Sequence, residues 1–285
     1  MKRHLWPVAL VFCLLLAACQ GGVRPTPTAG APSPFLPPKG KGIVHVGVVS
    51  DHPGWSTLEV GSEQRNGFDI ALITWLKSGL KIHHEYTGLS LGERESALVG
   101  KRVQMVVATF SMTDLRKKRI DFAGPYMVTY QGAMVRAGDD RIKTENDLVA
   151  GGRHVCVVER TTSYDALLPH RGPKLRLTVV SAQKQCVERL LAGQVDAMST
   201  DQLVLYGFAE ADKRLRVIPD LTFGFAEQYG IGLPDNDRAD CEILREKLQE
   251  FLDTSTWDLF FRQHFRNVPP DLIDKHKPRQ VDPCD

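Results

Sequence analysis

Short segments that predict strands alternate with segments that predict helices in the first part of this chain. Ile43–Val49 is rich in β-branched residues and predicts a strand, as do Lys81–Tyr86 and Val103–Ala108. The segments Gly67–Leu76 and Glu93–Val99 predict helices between them. Strand, helix, strand, helix, strand is the pattern of a parallel sheet with helices on both faces, so we expect an α/β fold.

The same alternation continues through the second part of the chain. Predicted strands and helices follow one another here as well, with a polar turn after each strand. The predicted strands are Tyr130–Arg136, His154–Val158, Leu177–Val180, Val195–Ser199, Val217–Ile218 and Phe225–Leu233, and the predicted helices are Cys186–Leu191, Cys241–Leu252 and Trp257–His264.

Length and charge narrow the class of protein. The 285 residues are too many for one small core and fit two lobes. A net charge of +2 gives no reason to expect a nucleic-acid partner. No motif predicts a metal or cofactor, and we expect a monomer.

The N-terminus resembles an export signal. Met1–Ala18 has a basic start and an apolar segment, Leu5–Leu16, that is short for a membrane span. It ends before Cys19 in a pattern that resembles a lipobox, so we expect Cys19 to carry lipid; an ordinary signal peptide cut near Ala18 is the alternative. Gln20–Lys41 is rich in proline and predicts an extended tether to the cell membrane.

Four cysteines follow the tether. An even number in an exported chain predicts disulfides, and none of the four belongs to a C-x-x-C motif. Spacing alone leaves three pairings open among Cys156, Cys186, Cys241 and Cys284.

The stretch Val106–Tyr126 carries the clearest candidate chemistry. A strand runs into hydroxyl residues, and Thr113 or Asp114 can cap a short helix that holds Arg116 near its start. Backbone N–H groups and a guanidinium at the end of a strand suit a carboxylate. The alternative is a capped surface helix whose basic run, Arg116–Arg119, is solvated.

This stretch is similar to the signature of the substrate-binding proteins of polar amino-acid ABC importers, bacterial extracellular solute-binding protein family 3. Val107–Arg116 and Ile120–Tyr126 fit it closely, and two further blocks, the first strand with its GFD helix and Cys186–Gly207, fit the same family. The resemblance covers about residues 43 to 265 and is closest to glutamate-binding members.

The resemblance implies a two-lobed periplasmic-binding-protein-like fold of type II with two crossover strands and a ligand cleft between the lobes. The expected parts are a signal peptide at 1–18, a lipid-anchored linker at 19–42, lobe 1 at 43–133 and 228–268, lobe 2 at 134–227, and a tail at 269–285. It also implies the disulfides Cys156–Cys186 and, by what remains, Cys241–Cys284.

The resemblance further implies how the ligand is held. Arg116, the N–H groups near Ser111 and the Thr161–Thr162 turn would bind an α-carboxylate, and Asp201 would bind the α-ammonium. Thr109 would contribute its carbonyl or hydroxyl. From the residues alone, an Asp after a strand is more commonly a helix N-cap.

Four other positions complete the expected site. Arg94 matches a position where glutamate-binding members carry Arg, and Trp55 or His52 would supply an aromatic contact. Arg160 stands where the family prefers Gly; at φ > 0 it would cost about 1 kcal/mol and would either strain the turn or reach the ligand.

The resemblance implies a non-enzymatic binding protein that delivers a polar amino acid to a membrane permease. The surplus of His52, Arg94 and Arg160 over Glu159 and Asp51 favours glutamate or aspartate. Two alternatives remain open: an amino-acid sensor for a membrane signalling protein, and a dehydratase on the same scaffold with Glu159 or His52 as its acid or base.

Overall fold

Two long antiparallel strands run side by side through the middle of the fold. They belong to a computed structural model that describes residues 35–36, 42–59 and 61–284, all within one structural unit, Pro32–Asp285. The expected signal peptide, Cys19 and most of the expected linker lie outside the described residues.

The bounds of the predicted strands lie close to those in the structure, except for the two long strands, β7 (Asp121–Arg136) and β11 (Leu215–Leu233). The strands are β1 Ile43–Val48, β2 Asp51–His52, β3 Ser56–Leu58, β4 Arg65–Asn66, β5 His83–Gly88, β6 Met105–Val106, β7 Asp121–Arg136, β8 Arg153–Val158, β9 Leu175–Val180, β10 Ala197–Asp201 and β11 Leu215–Leu233.

The helices cover both faces of the sheet. They are α1 Phe68–Leu80, α2 Arg94–Val99, α3 Asp114–Lys117, α4 Glu145–Val149, α5 Thr162–Leu167, α6 Gln183–Leu191, α7 Gln202–Ala211, α8 Arg238–Asp253, α9 Thr256–His264 and α10 Ile273–His276, with 3-10 turns at Leu91–Glu93, Leu168–His170 and Pro270–Leu272.

The main sheet has the strand order β5-β1-β6-β11-β7-β10-β8-β9. Its outer strands are parallel, β1 with β5 and β6, and β8 with β9 and β10, whereas β7 and β11 are antiparallel to their neighbours. The strands β5, β1 and β6 belong to one lobe, and β10, β8 and β9 belong to the other. β7 and β11 pass through both, which makes them the two crossovers.

Strand β7 is longer than the sequence predicts. The hydrophobic pattern places its start at Tyr130, but the strand begins at Asp121 and continues through Gly124 and Pro125. Proline lacks an N–H for the ladder and glycine weakens a strand, so this segment looks like a turn in the sequence. Pairing with β11 from Asp121 onward holds it extended.

Both expected disulfides are present. Cys156 on β8 is joined to Cys186 on α6, with Cα atoms 5.4 Å apart, and Cys241 on α8 is joined to Cys284, with Cα atoms 6.0 Å apart. The second bridge fixes the C-terminal segment to the body.

One residue of the expected linker packs against the body. Leu36 is fully buried in the main hydrophobic cluster. The backbone N–H groups of Phe35 and Leu36 donate to the Asp240 carboxylate over 2.7 Å and 3.0 Å. The region expected as an extended tether to residue 42 therefore includes a docked segment. Among the described residues, no helix is long and apolar enough to cross a membrane.

Candidate functional site

A narrow cavity lies between the two lobes, where the ends of β1, β6, β8 and β10 come together. We call it the cleft cavity. Its volume is about 10 Å³, roughly the room of one water molecule. Its lining residues come from both lobes and are mostly polar: His52, Leu91, Arg94, Thr109, Ser111, Thr161, Thr162, Gln183, Thr200, Asp201 and Val204.

The structure brings most of the sequence-predicted site residues to this cavity. Those that line it are Arg94, Thr109, Ser111, Thr161, Thr162 and Asp201. Arg116 and Arg160 line a neighbouring cavity, and Trp55 lies in the protein interior. Six of the predicted site residues therefore line one cavity, and these three residues lie elsewhere.

Trp55 does not reach the cleft. Its indole is fully buried, with ring centroids 5.8 Å from Phe68, 5.3 Å from Tyr229 and 4.8 Å from Phe265. Burial among aromatic rings stabilises it there. Of the two aromatic candidates in this turn, His52 is the one that lines the cavity.

Thr109 is held in an uncommon backbone conformation at the cavity wall. Its φ is 45°, in the left-handed region that a β-branched residue rarely adopts. Its N–H donates to Asp69 Oδ2 over 3.1 Å, and its carbonyl accepts from Arg94 Nη1 over 2.7 Å. These two buried side chains offset a strain of about 1–3 kcal/mol.

Arg94 is buried and bonded to the backbone. Its Nε donates to Leu91 O over 2.9 Å, and its Nη1 donates to Ala108 O and Thr109 O over 2.9 Å and 2.7 Å. The guanidinium also lies 4.7 Å from the centre of the Phe110 ring. Among the described residues, Arg94 forms no ion pair and its Nη2 has no acceptor.

Arg116 also lies near the Phe110 ring. Its guanidinium is 4.9 Å from the Phe110 centroid, and its Nη1 donates to Ser111 O over 2.8 Å. Thr113 caps the short helix, since its hydroxyl accepts from the Arg116 N–H over 3.3 Å. Within the described part of the chain, Arg116 has backbone carbonyls as its side-chain partners and no carboxylate.

Arg116 and Arg160 line a second cavity beside the first, which we call the outer cavity. Its volume is about 370 Å³. Arg119 also lines it and pairs with Glu95 over 2.6 Å. The outer cavity therefore has a basic lining, with three arginines and one glutamate, Glu95.

Arg160 does adopt the conformation that the family's Gly suggested. Its φ is 58°, so the left-handed strain of about 1 kcal/mol applies. Its side chain lies across the opposite lobe, where its Cδ is 3.1 Å from the position a Cβ on Gly92 would take. Its carbonyl accepts from Arg116 Nη2 over 3.4 Å. Arg160 thus bridges the lobes beside the outer cavity and does not line the cleft cavity.

Asp201 is the last residue of β10, and its carboxylate does not cap the helix that follows. Its Oδ1 instead accepts from Gln131 Nε2 over 2.6 Å, and its Oδ2 accepts from the Tyr229 hydroxyl. Thr162 Oγ1 and Glu227 Oε1 also lie within hydrogen-bond distance of Gln131 Nε2, each at 3.0 Å, so its two N–H groups are shared among three acceptors. Asp201 thus occupies the N-cap position of α7, but its carboxylate makes other hydrogen bonds and does not cap the helix.

Burial and neighbouring charges shift the pKa values of the charged groups. Burial, followed by the negative charge of Glu227, raises the pKa of Asp201 to about 7. Burial, followed by the positive charge of Arg116, lowers the pKa of Arg94 to about 9, so Arg94 stays charged at neutral pH. Burial lowers the pKa of His52 to about 4, so its ring is neutral.

Several residues of this network were not predicted. Gln131 and Tyr229 lie on the crossover strands, and Asp69 lies in the first turn of α1, where its carboxylate accepts from the Tyr126 hydroxyl over 2.8 Å. Burial raises the pKa of Asp69 to about 7. The only local sequence signal for any of these residues was that Asp69 is an acidic residue within the apolar segment of α1. No local signal marked Gln183, which also lines the cavity.

Comparison with known proteins identifies the family. The chain matches the family model of the bacterial extracellular solute-binding proteins, family 3, over residues 44–267. It belongs to this family. Similar curated proteins include the glutamate-binding protein GluB of Corynebacterium glutamicum, 28% identical over 78% of this chain and 78% of GluB. The glutamine-binding protein of Geobacillus stearothermophilus is 26% identical over 83% of this chain and 93% of its own length.

Solved structures agree with the fold of this family 3 protein. An ancestral arginine-binding protein bound to arginine has a TM-score of 0.71 and 24% identity, over 79% of this chain and 99% of that one. The ancestral amino acid-binding protein AncCDT-1, a precursor of cyclohexadienyl dehydratase, has a TM-score of 0.71 and 25% identity, over 79% of this chain and 96% of AncCDT-1. The fold is the two-lobed type II periplasmic-binding-protein fold, as the sequence predicted.

Proposed function

We propose that this protein captures an acidic amino acid, glutamate or aspartate, in the cleft and delivers it to a membrane ABC permease. Its family consists of extracellular solute-binding proteins, and GluB is named for binding glutamate. The finer assignment rests on the charges at the cleft, argued below.

The observation that carries the proposal is a pair of guanidinium groups without carboxylate partners. Arg94 and Arg116 both lie near the Phe110 ring and bind backbone carbonyls of the described chain. Asp201 supplies a carboxylate to the cleft cavity, which Arg94 also lines, whereas Arg116 lines the outer cavity beside it. An acidic amino acid carries two carboxylates and one ammonium, so it matches two cations and one anion. Leaving such buried charges unpaired is costly.

Each group then has an assigned role. Arg116, together with the backbone near Ser111 and the Thr161–Thr162 turn, binds the α-carboxylate. Thr161 donates its hydroxyl to Val158 O over 2.7 Å, whereas the Thr162 hydroxyl accepts from Gln131 and keeps its own proton to donate. Asp201 binds the ammonium, and Thr109 lies beside it.

Arg94 binds the side-chain carboxylate through its Nη2. That assignment uses the part of the guanidinium that has no acceptor among the described residues. Arg160, which lines the outer cavity, contributes positive potential there and draws anions toward the cleft.

Because the cleft cavity is as small as one water molecule, an amino acid enters only when the lobes separate, and closure follows by hinge motion about β7 and β11.

The binding test is calorimetry with mass spectrometry. The proposal predicts one L-glutamate or L-aspartate bound per protein, and the same unaltered compound recovered after incubation. A changed product would instead favour an enzyme, a question raised by the likeness to AncCDT-1. His52 has no hydrogen-bonded partner among the described residues, so no activated acid or base is set up there.

Membrane attachment and the partner are separate parts of the proposal. Lipid on Cys19 would hold the protein at the outer surface of the cell membrane. A Cys19→Ala variant should be released into the medium, and continued membrane retention would contradict the lipid anchor. Deleting the adjacent permease genes should abolish uptake; intact uptake with a lost signalling response would favour the sensor.

A further inference from the structure

Two buried side chains at the cleft cavity have polar atoms that no described residue satisfies. Gln183 is 2% exposed, and its Nε2 donates to Thr200 Oγ1 over 3.0 Å while its Oε1 has no partner. His52 is 1% exposed, and neither ring nitrogen has a hydrogen-bond partner among the described residues, although Nε2 lies 4.0 Å from Asp51 Oδ1. A buried polar atom without a hydrogen bond is costly to the folded state. Both residues line the cavity, so a ligand can satisfy them.

These two groups differ from Arg94 in what they offer. A guanidinium only donates hydrogen bonds. A neutral imidazole has one donor and one acceptor, and burial keeps the His52 ring neutral. The Gln183 amide can turn either end toward the cavity, because the Thr200 hydroxyl accepts or donates equally well. Gln183 and His52 can therefore donate to a carboxylate or accept from a carboxamide.

The fold holds both side chains in place. Gln183 is the first residue of α6, and Cys186 in the same turn is joined by a disulfide to Cys156 on β8. The His52 ring packs edge-on against Phe208 of the other lobe, with centroids 6.3 Å apart. Rigid placement allows a few hydrogen bonds to discriminate between similar ligands.

We propose that Gln183 and His52 set the preference of the cleft between a carboxylate and a carboxamide at the end of the ligand's side chain. The inference rests on the proposed function, that the cleft binds an amino acid. Glutamate draws most of its affinity from Arg94. Glutamine has an amide NH₂ that Arg94 cannot accept from, so its binding depends on the acceptor that Gln183 or His52 presents.

The experiment is a pair of calorimetric titrations, with L-glutamate and with L-glutamine, on wild type and Gln183→Leu. The readout is the ratio of the two dissociation constants. Losing one acceptor should weaken glutamine about tenfold, near 1.4 kcal/mol, and glutamate much less. Gln185→Leu is the matched control, since Gln185 lies in the same helix and binds the Ser181 N–H over 3.3 Å outside the cavity.

A second variant tests the opposite direction. Gln183→Glu keeps the shape and puts an acceptor with a negative charge in the cavity, so the ratio should shift toward glutamine. His52→Phe should shift it toward glutamate. Shifts of the ratio in opposite directions in Gln183→Glu and His52→Phe are not expected if the two residues have a purely structural role. This comparison remains informative if Gln183→Leu fails to fold.

The outcomes separate the two proposals. If wild type binds neither amino acid, the proposed function fails and this inference fails with it. If wild type binds glutamate and no glutamine, or if the ratio is unchanged in the Gln183 and His52 variants, this inference is overturned while the proposed function stands.

Discussion

Gln131 and Asp201 face each other across the antiparallel strands β7 and β10, and Gln131 Nε2 donates to Asp201 Oδ1 over 2.6 Å. A crossover residue thus fixes the carboxylate proposed to bind the ligand's ammonium. The same amide reaches Thr162 and Glu227. On the proposed function, Gln131 would therefore link ligand binding to the hinge.

The raised pKa of Asp201 predicts a pH dependence of binding. Burial and Glu227 raise that pKa to about 7, and a bound ammonium would stabilise the charged form and lower it. Affinity is therefore fully present above the free-state pKa and falls as the pH drops through it, by up to about tenfold per pH unit. Calorimetry between about pH 5.5 and about pH 8.5 checks this, and binding should release protons. Constant affinity across that range would contradict the role of Asp201.

Removing the hydroxyl of Tyr229 should weaken ligand binding without creating a large cavity in the core. Tyr229→Phe keeps the ring that packs on Trp55 and loses the hydrogen bond to Asp201. We expect a loss of about 1–3 kcal/mol in affinity, because the acceptor is charged, and a higher pH midpoint of binding.

The matched control is Tyr206→Phe. The Tyr206 hydroxyl is buried and has no hydrogen-bond partner among the described residues. Its removal should leave affinity unchanged. Equal effects of the two variants would show that Tyr229 acts through packing alone.

Arg116→Ala should lose about 2–5 kcal/mol of affinity, since truncation leaves a desolvated carboxylate without its partner. Arg119→Ala is the comparison, because Arg119 is exposed and pairs with Glu95 outside the cleft cavity. It should change affinity by less than about 1 kcal/mol. A loss below about 0.5 kcal/mol for Arg116→Ala would identify Arg116 as a solvated surface residue.

The disulfides should make separate contributions to stability. Cys156–Cys186 and Cys241–Cys284 span 30 and 43 residues, and removing either should lower the free energy of unfolding by about 2–4 kcal/mol. Denaturant unfolding of the Cys→Ser pairs measures this. Non-reducing peptide mapping checks the pairing, and a free thiol among the four would contradict it.

The sequence predicts the parts of the site that depend on local structure. Thr113 caps its helix because a hydroxyl before a helix is a local signal, and Asp201 ends a strand whose hydrophobic pattern is clear. The alternation of strands and helices predicts the α/β class, whereas the two lobes and their crossover strands were implied by the family resemblance.

Tertiary packing decides what the sequence leaves open. Trp55 and His52 lie close together in sequence and both are buried, but only His52 lines the cleft cavity, because Trp55 packs among the aromatic rings of distant segments. The backbone conformation of Arg160 could be anticipated, but the path of its side chain across Gly92 depends on how the lobes meet. Gln131 and Gln183 carry no local pattern at all.

The central claim is that the charges at this cleft select an acidic amino acid. The most direct measurement is a calorimetric panel of glutamate, aspartate, glutamine, asparagine, histidine and arginine on wild type and Arg94→Ala. We predict that glutamate or aspartate binds most tightly and arginine most weakly, and that Arg94→Ala narrows the gap between glutamate and glutamine. Glutamine binding about tenfold tighter than glutamate, a difference near 1.4 kcal/mol, would contradict the claim.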